Sequence, residues 1–201
     1  MQSHGGAADM DMRDPVVSPR TRLRRWEQRD SEAFHRLNSD ETVMRFFPFR
    51  RDRAQSDRML DELNQRLEND GFSFLALEVD GSGGAVGLLG MAILDAAMPL
   101  APGIEIGWRL LPEVWGKGYA TEAAAACLDR AFAGPDALEE IVSFCVATNH
   151  ASEAVMLRLG FSRGADFDHP KVSAETHPEL LRHRSYRLSR RDWLDRQAAP
   201  G

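Results

Sequence analysis

The chain has 201 residues, 43% of them hydrophobic and 28% charged, which favours a single domain with a substantial core and sets it apart from disordered chains. No apolar run approaches the roughly 18 residues a membrane helix needs. A formal charge of −6 argues against a phosphate-backbone binder, because nucleic-acid domains carry a basic face. Neither a membrane nor a nucleic acid is an expected partner.

Residues 1–19, MQSHGGAADMDMRDPVVSP, are polar, punctuated by Gly and Pro and without periodicity, so they read as a flexible tail. They lack the basic start and apolar core of a signal peptide, which points to a cytoplasmic protein. The expected domain spans 20–195, with a short tail over 196–201. TRLRRW, from Thr21, suits a strand, and Asp30-Ser31-Glu32 opens a helix through Ala33, Phe34 and Leu37. Phe46, Phe47, Pro48 and Phe49 follow; aromatics drive burial, so core is the simplest expectation for them. Met59, Leu60, Leu63 and Leu67 then recur at amphipathic-helix spacing, and Gly71 ends that helix.

FSFLALEV and AVGLLGMAIL, joined by DGSGG, form an antiparallel pair. GIEIGWRLL is a third strand, with Ile104, Ile106 and Trp108 on one face and Glu105, Gly107 and Arg109 on the other. An alanine-rich helix, a buried strand EEIVSFCVAT, a short helix NHASEAVMLRLGF and a strand HRSYRLSRRDWL ending in a helical turn complete the order β α α β β β α β α β β. That order describes an α/β (α+β) domain with a mixed, mostly antiparallel sheet. Cys127 and Cys145 lie in apolar runs and read as core residues of a reducing compartment. His169, His177 and His183 lack the spacing of a metal helix, so no metal is expected.

WGKGYATEA places two glycines at the mouth of a helix directly after a strand. Unpaired N–H groups and the positive end of the helix dipole make such a junction an anion site. A Walker loop needs Ser or Thr after its lysine, and here Gly118 follows Lys117. A Rossmann loop needs a third glycine or alanine where Thr121 stands.

The stretch resembles the pyrophosphate loop of the GNAT acetyltransferases, Q/R-x-x-G-x-G/A, on Trp115-Gly116-Lys117-Gly118-Tyr119-Ala120, with Trp in place of Gln or Arg. The extended W-G-K-G-Y-A-T-E-A is similar to the RimJ/RimL branch of ribosomal-protein N-terminal acetyltransferases. ATNHASEAVMLRLGF resembles the second family motif through Asn149, Ser152, Leu159, Gly160 and Phe161, and the likeness covers roughly 21–193.

The resemblance implies a GNAT fold of about seven strands flanked by helices and an N-acetyltransferase that moves an acetyl group from acetyl-CoA to a primary amine. The acceptor would be a protein N-terminus or an amine-bearing small molecule; a homodimer is the assembly often formed in the family. Backbone amides from Gly116 to Thr121 would hold the coenzyme A pyrophosphate, with Asn149 and Ser152 as further cofactor contacts. Lys117 is either a phosphate contact or a solvated loop lysine. Trp108, Arg109 and Leu110 would pair with the pantetheine arm, and the Leu110 N–H would polarise the thioester carbonyl. The region holding Phe46 to Phe49 often lines the acceptor pocket, an alternative to core.

Two family positions depart. Met156 stands where many relatives carry a tyrosine acid, and Phe144 where some carry a glutamate. Glu105 remains, either as general base or as a structural partner of Arg109. An alternative function is a non-catalytic acyl-CoA-binding or sensing module.

Overall fold

The computed structural model describes residues 10–135 and 137–199, whose strands form one nine-stranded sheet. Its first half is an antiparallel run of β1 (Val16–Val17), β2 (Thr21–Arg24), β3 (Phe74–Val79), β4 (Ala85–Ile93) and β5 (Ile104–Leu110). β6 (Glu140–Val146) then lies parallel to β5. The two-residue strands β7 (Ser162–Arg163) and β8 (Phe167–Asp168) and the long β9 (Arg182–Ser189) complete the sheet, with β9 antiparallel to the other three. The sequence leads to about seven strands; β1, β7 and β8 are too short to show alternation.

α1 (Ser31–Ser39) and α2 (Arg53–Asp70) cover one face, burying Phe34, Leu37, Leu60 and Leu63 with Ala76 and Leu88 of the sheet. α2 starts as its composition directs: the Asp52 carboxylate accepts from the Gln55 N–H at 2.7 Å, and the Gln55 side chain accepts from the Asp52 N–H at 3.0 Å. Gly71 ends it in the left-handed conformation, φ 81°. α3 (Tyr119–Ala131) and α4 (His150–Arg158) bury their apolar sides in the main core on the opposite face. α5 (Pro178–Leu181) leads into β9, and α6 (Arg190–Ala198) returns Trp193 to that core, its indole N–H donating to Asp129 at 3.0 Å. Among the described residues no helix is long and apolar enough to cross a membrane.

Both expected tails need correction. Residues 1–9 lie outside the described residues, but Met10 and Met12 are buried in the main core, and the Met12 N–H donates to the Gly71 carbonyl at 2.7 Å. β1 pairs with β2, so residues 10–19 belong to the domain. A short methionine alternation diluted by aspartates, ADMDMRD, hid this segment. At the other end, α6 continues to Ala198, past the expected boundary at 195.

The feature that positions the site is the junction of β5 and β6. These strands share one register pair, Glu105 with Val142. Just beside it the buried Ser143 hydroxyl donates to the Ile106 carbonyl at 2.9 Å, fastening the two strands at the point where they part. Beyond it the sheet opens.

Candidate active site

Strand alternation decides which backbone groups face the opening. The Leu111 N–H donates to the Val86 carbonyl at 2.9 Å, and Arg109 lies opposite Leu88 in the same register. In an antiparallel pair the odd positions 105, 107 and 109 therefore turn N–H and C=O toward β4, and the even positions turn theirs toward β6. Trp108 and Leu110 present their N–H groups to the split. Arg109, expected beside them on the pantetheine path, is corrected: its backbone belongs to β4.

The glycine turn closes the far end of the split. Gly116 and Gly118 have φ 73° and 82°, a conformation that side chains disfavour. Gly118 is the N-cap of the thirteen-residue α3, so the amides of Tyr119, Ala120 and Thr121 open the helix toward solvent. At Gly116 an added Cβ would meet no atom within 4 Å, so within the protein the φ angle, rather than crowding, calls for glycine. Trp115, standing where the family has Gln or Arg, donates its indole N–H to the Leu110 carbonyl at 2.7 Å, joining the loop to the open strand. Lys117 is exposed, and among the described residues its side chain forms no ion pair.

Sequence reasoning missed the brace behind this loop. Arg20 donates to the Lys117 carbonyl at 3.2 Å and to Glu122 of α3 at 2.7 Å, and its guanidinium lies 5.0 Å from the Tyr119 ring centre. Ser18 adds a bond to Glu122 at 2.9 Å. Burial alone would raise the Glu122 carboxyl, but the Arg20 amide and side chain hold it below its ordinary range. The only sequence hint was an arginine at the edge of an apparently featureless tail.

On the α1–α2 side of the sheet, Glu105 is half-buried and has no ion-pair partner among the described residues. Burial pushes its pKa up to about 7. Arg109, on the same face, instead donates to the Asn38 carbonyl oxygen Oδ1 at 2.8 Å and to the Leu37 backbone at 3.1 Å. The structural Glu105–Arg109 pair is thereby ruled out. Phe46 and Phe47 are half-buried and Phe49 is 43% exposed, so the aromatic run lies outside the buried core and flanks this face. Phe47 packs under Arg109, 4.4 Å from guanidinium to ring centre.

Across the opening, the Asn149 side-chain oxygen accepts the Ser152 N–H at 3.2 Å and so caps α4. Ser152 sits half-buried in the first turn. Met156 is fully buried. Phe144 packs with Phe167, His169 and His183 on the Glu105 side, and this aromatic setting pushes the His169 pKa down to about 4 through burial and its His183 neighbour. Burial likewise lowers the His183 pKa. Cys127 and Cys145 are both buried, and burial pushes each thiol up to about 12. Among the described residues no group of three His, Cys, Asp or Glu is arranged to hold a metal ion.

The sheet thus parts beside the N-terminal mouth of α3, with a carboxylate whose pKa is raised to about 7 at the point where the strands separate. Residues 20–162 match the family model described as "Acetyltransferase (GNAT) domain". The chain belongs to the GNAT acetyltransferase family and is an acetyl-CoA-dependent acyltransferase. It is similar to the uncharacterized protein YkkB of Bacillus subtilis (strain 168), 34% identical over 125 residues, covering 61% of this chain and 71% of YkkB. A GNAT-family acetyltransferase from Bacillus anthracis superposes with TM-score 0.71 at 25% identity, over 89% of this chain and 99% of the other. Mycobacterium smegmatis RimJ, solved in complex with CoA-disulfide, shares the fold at 20% identity and TM-score 0.69, over 89% and 88%.

Proposed function

We propose that the protein acetylates a primary amine, on a protein N-terminus or a small molecule, by direct transfer from acetyl-CoA. The observation that carries this reading is Glu105: a carboxylate with no ion-pair partner among the described residues, with its pKa raised to about 7, on the strand whose even N–H groups face the split. A base near neutral pKa takes a proton from an ammonium group without being permanently ionised or permanently neutral.

In this reading the Gly116 to Thr121 amides bind the pyrophosphate, and the Trp108 and Leu110 N–H groups meet the pantetheine arm and the thioester oxygen. Glu105 receives one proton from the acceptor ammonium through a chain of waters, since five residues, about 16 Å of extended strand, separate it from Leu110. The nitrogen then bonds to the carbonyl carbon, the negative charge on oxygen is held by the Leu110 N–H, and collapse breaks the carbon–sulfur bond. The nitrogen still carries a proton it must lose, and the departing sulfur needs one, so the balance closes without the tyrosine that Met156 replaces. Holding both reactants on one rigid strand supplies most of the advantage.

The test is thiol release from acetyl-CoA across a panel of amines and peptides, with the acetylated product confirmed by mass. Turnover of one or more acceptors supports the reading. A melting temperature raised by acetyl-CoA, with no turnover of any acceptor, would instead favour a sensing module.

A further inference from the structure

Arg51 and Arg109 form a paired cationic site on the acceptor side of the sheet. The Arg109 guanidinium lies 4.4 Å from the Phe47 ring centre and that of Arg51 lies 4.5 Å from Phe49, while the two rings are 6.0 Å apart. Asn38, fully buried, anchors both: its side chain accepts from Arg109 at 2.8 Å and its backbone carbonyl accepts the Arg51 N–H at 3.0 Å. Asn38 is itself fixed by donating to the Phe34 carbonyl at 2.8 Å.

The electrostatics of this pair are unbalanced. Among the described residues neither arginine forms an ion pair, although their neighbours Arg50 and Arg53 pair with Glu41 and with Glu32 and Asp57. Glu62 of α2 acts on Arg51 through space only. Nη1 of Arg51 and Nε of Arg109 are buried without a hydrogen-bond partner. Burial and the charge of Arg51 push the Arg109 pKa down to about 9. Two half-buried like charges with unmet donors destabilise a fold unless an anion completes them.

We propose that Arg51 and Arg109 receive an oxyanion group of the acceptor, a carboxylate or a phosphate, and so select acidic amines. The inference rests on the acetyltransferase reading and extends it to the class of acceptor. Arg109 adjoins Leu110, whose N–H takes the thioester oxygen in the proposed transfer. An acceptor with its amine at the thioester and its anion at the arginines is therefore a compact molecule, of the dimensions of an amino acid derivative or short peptide. Guanidinium forks suit such oxyanions, and Phe47 and Phe49, tilted 58° to each other, each pack against one of them.

The experiment compares matched acceptors with acetyl-CoA: a dipeptide against its C-terminal amide, and an aminoalkyl phosphate against the corresponding amino alcohol. The charged member of at least one pair is expected to be favoured about 10- to 100-fold in kcat/KM, and Arg51→Gln should erase that preference. The pair that shows it identifies carboxylate or phosphate. Arg109→Gln is a second variant, and an unchanged melting shift with acetyl-CoA certifies that either variant is folded. Equal use of charged and neutral members in both pairs overturns the proposal while leaving acetyl transfer standing. If no acceptor turns over, the same pairs are titrated into the acetyl-CoA-loaded protein: a melting shift with charged members only, lost in Arg51→Gln, supports the site, and equal shifts or none overturn it.

Discussion

Arg109 donates to Asn38 at 2.8 Å and leaves Glu105, on the same face of β5, without a counter-ion among the described residues. That separation of two groups that looked like a ready ion pair is what keeps the carboxyl near neutral pKa, since burial is the cause acting on it.

Glu105→Gln should lower kcat/KM by about 10²- to 10⁴-fold, the usual range for losing a general base. The same variant should be more stable than the wild type at alkaline pH. With its pKa raised from 4.5 to about 7, Glu105 contributes stability below the ordinary carboxylate range that is lost as pH rises through the folded value. The gap in melting temperature between variant and wild type should therefore widen from about pH 5 to about pH 8. A gap that is constant across that window would show that Glu105 is not desolvated.

Arg20→Met should weaken acetyl-CoA binding by about 2- to 10-fold, a modest loss because the Arg20 side chain is half exposed and its contacts are screened. The Lys117 carbonyl and Glu122 lose their common partner, so the loop gains freedom that binding must remove. Calorimetric titration with acetyl-CoA measures the change, and unchanged affinity would exclude the brace.

Gly118→Ala forces a side chain to φ 82° at the mouth of α3 and sets a Cβ 3.5 Å from the Arg20 guanidinium. The left-handed conformation costs about 1–2 kcal/mol for a residue with a Cβ. The loop should relax away from its anion-binding shape, so the melting shift produced by acetyl-CoA should shrink sharply while the far-ultraviolet spectrum stays native.

Much of this was legible from residue order, and the exceptions have physical reasons. The Gly116 and Gly118 turn, the capped α2 and the β3–β4 hairpin announce themselves through local chemistry, because glycine, capping side chains and alternation act within a few residues. Arg20, Trp115 and Asn38 did not, since each works through partners distant in sequence or through a single backbone carbonyl. Phe46 to Phe49 look like core by composition. Their place in the loop between α1 and α2 brings them to the rim, where arginines cover their faces.

Arg24 supplies a stability test away from the site. It is buried and donates to Asp30 at 2.6 Å and to Glu78 at 2.5 Å, tying β2 to the turn before α1 and to β3. Burial opposes ionisation of Asp30, but the Arg24 bond and backbone donors outweigh it and lower the carboxyl. Arg24→Met should leave Asp30 charged, buried and unpaired, at a cost of about 3–5 kcal/mol in denaturant melts. The double variant with Asp30→Asn should recover part of that loss.

The central claim is that Glu105 is the base of an acetyl transfer carried out on the opened edge of β5. The direct measurement is the pH dependence of kcat/KM for thiol release with one competent amine, for the wild type and Glu105→Gln. The wild type should lose activity as pH falls through about 7, and the variant should be slower and lack that inflection. An identical profile in the two proteins would contradict the role of Glu105.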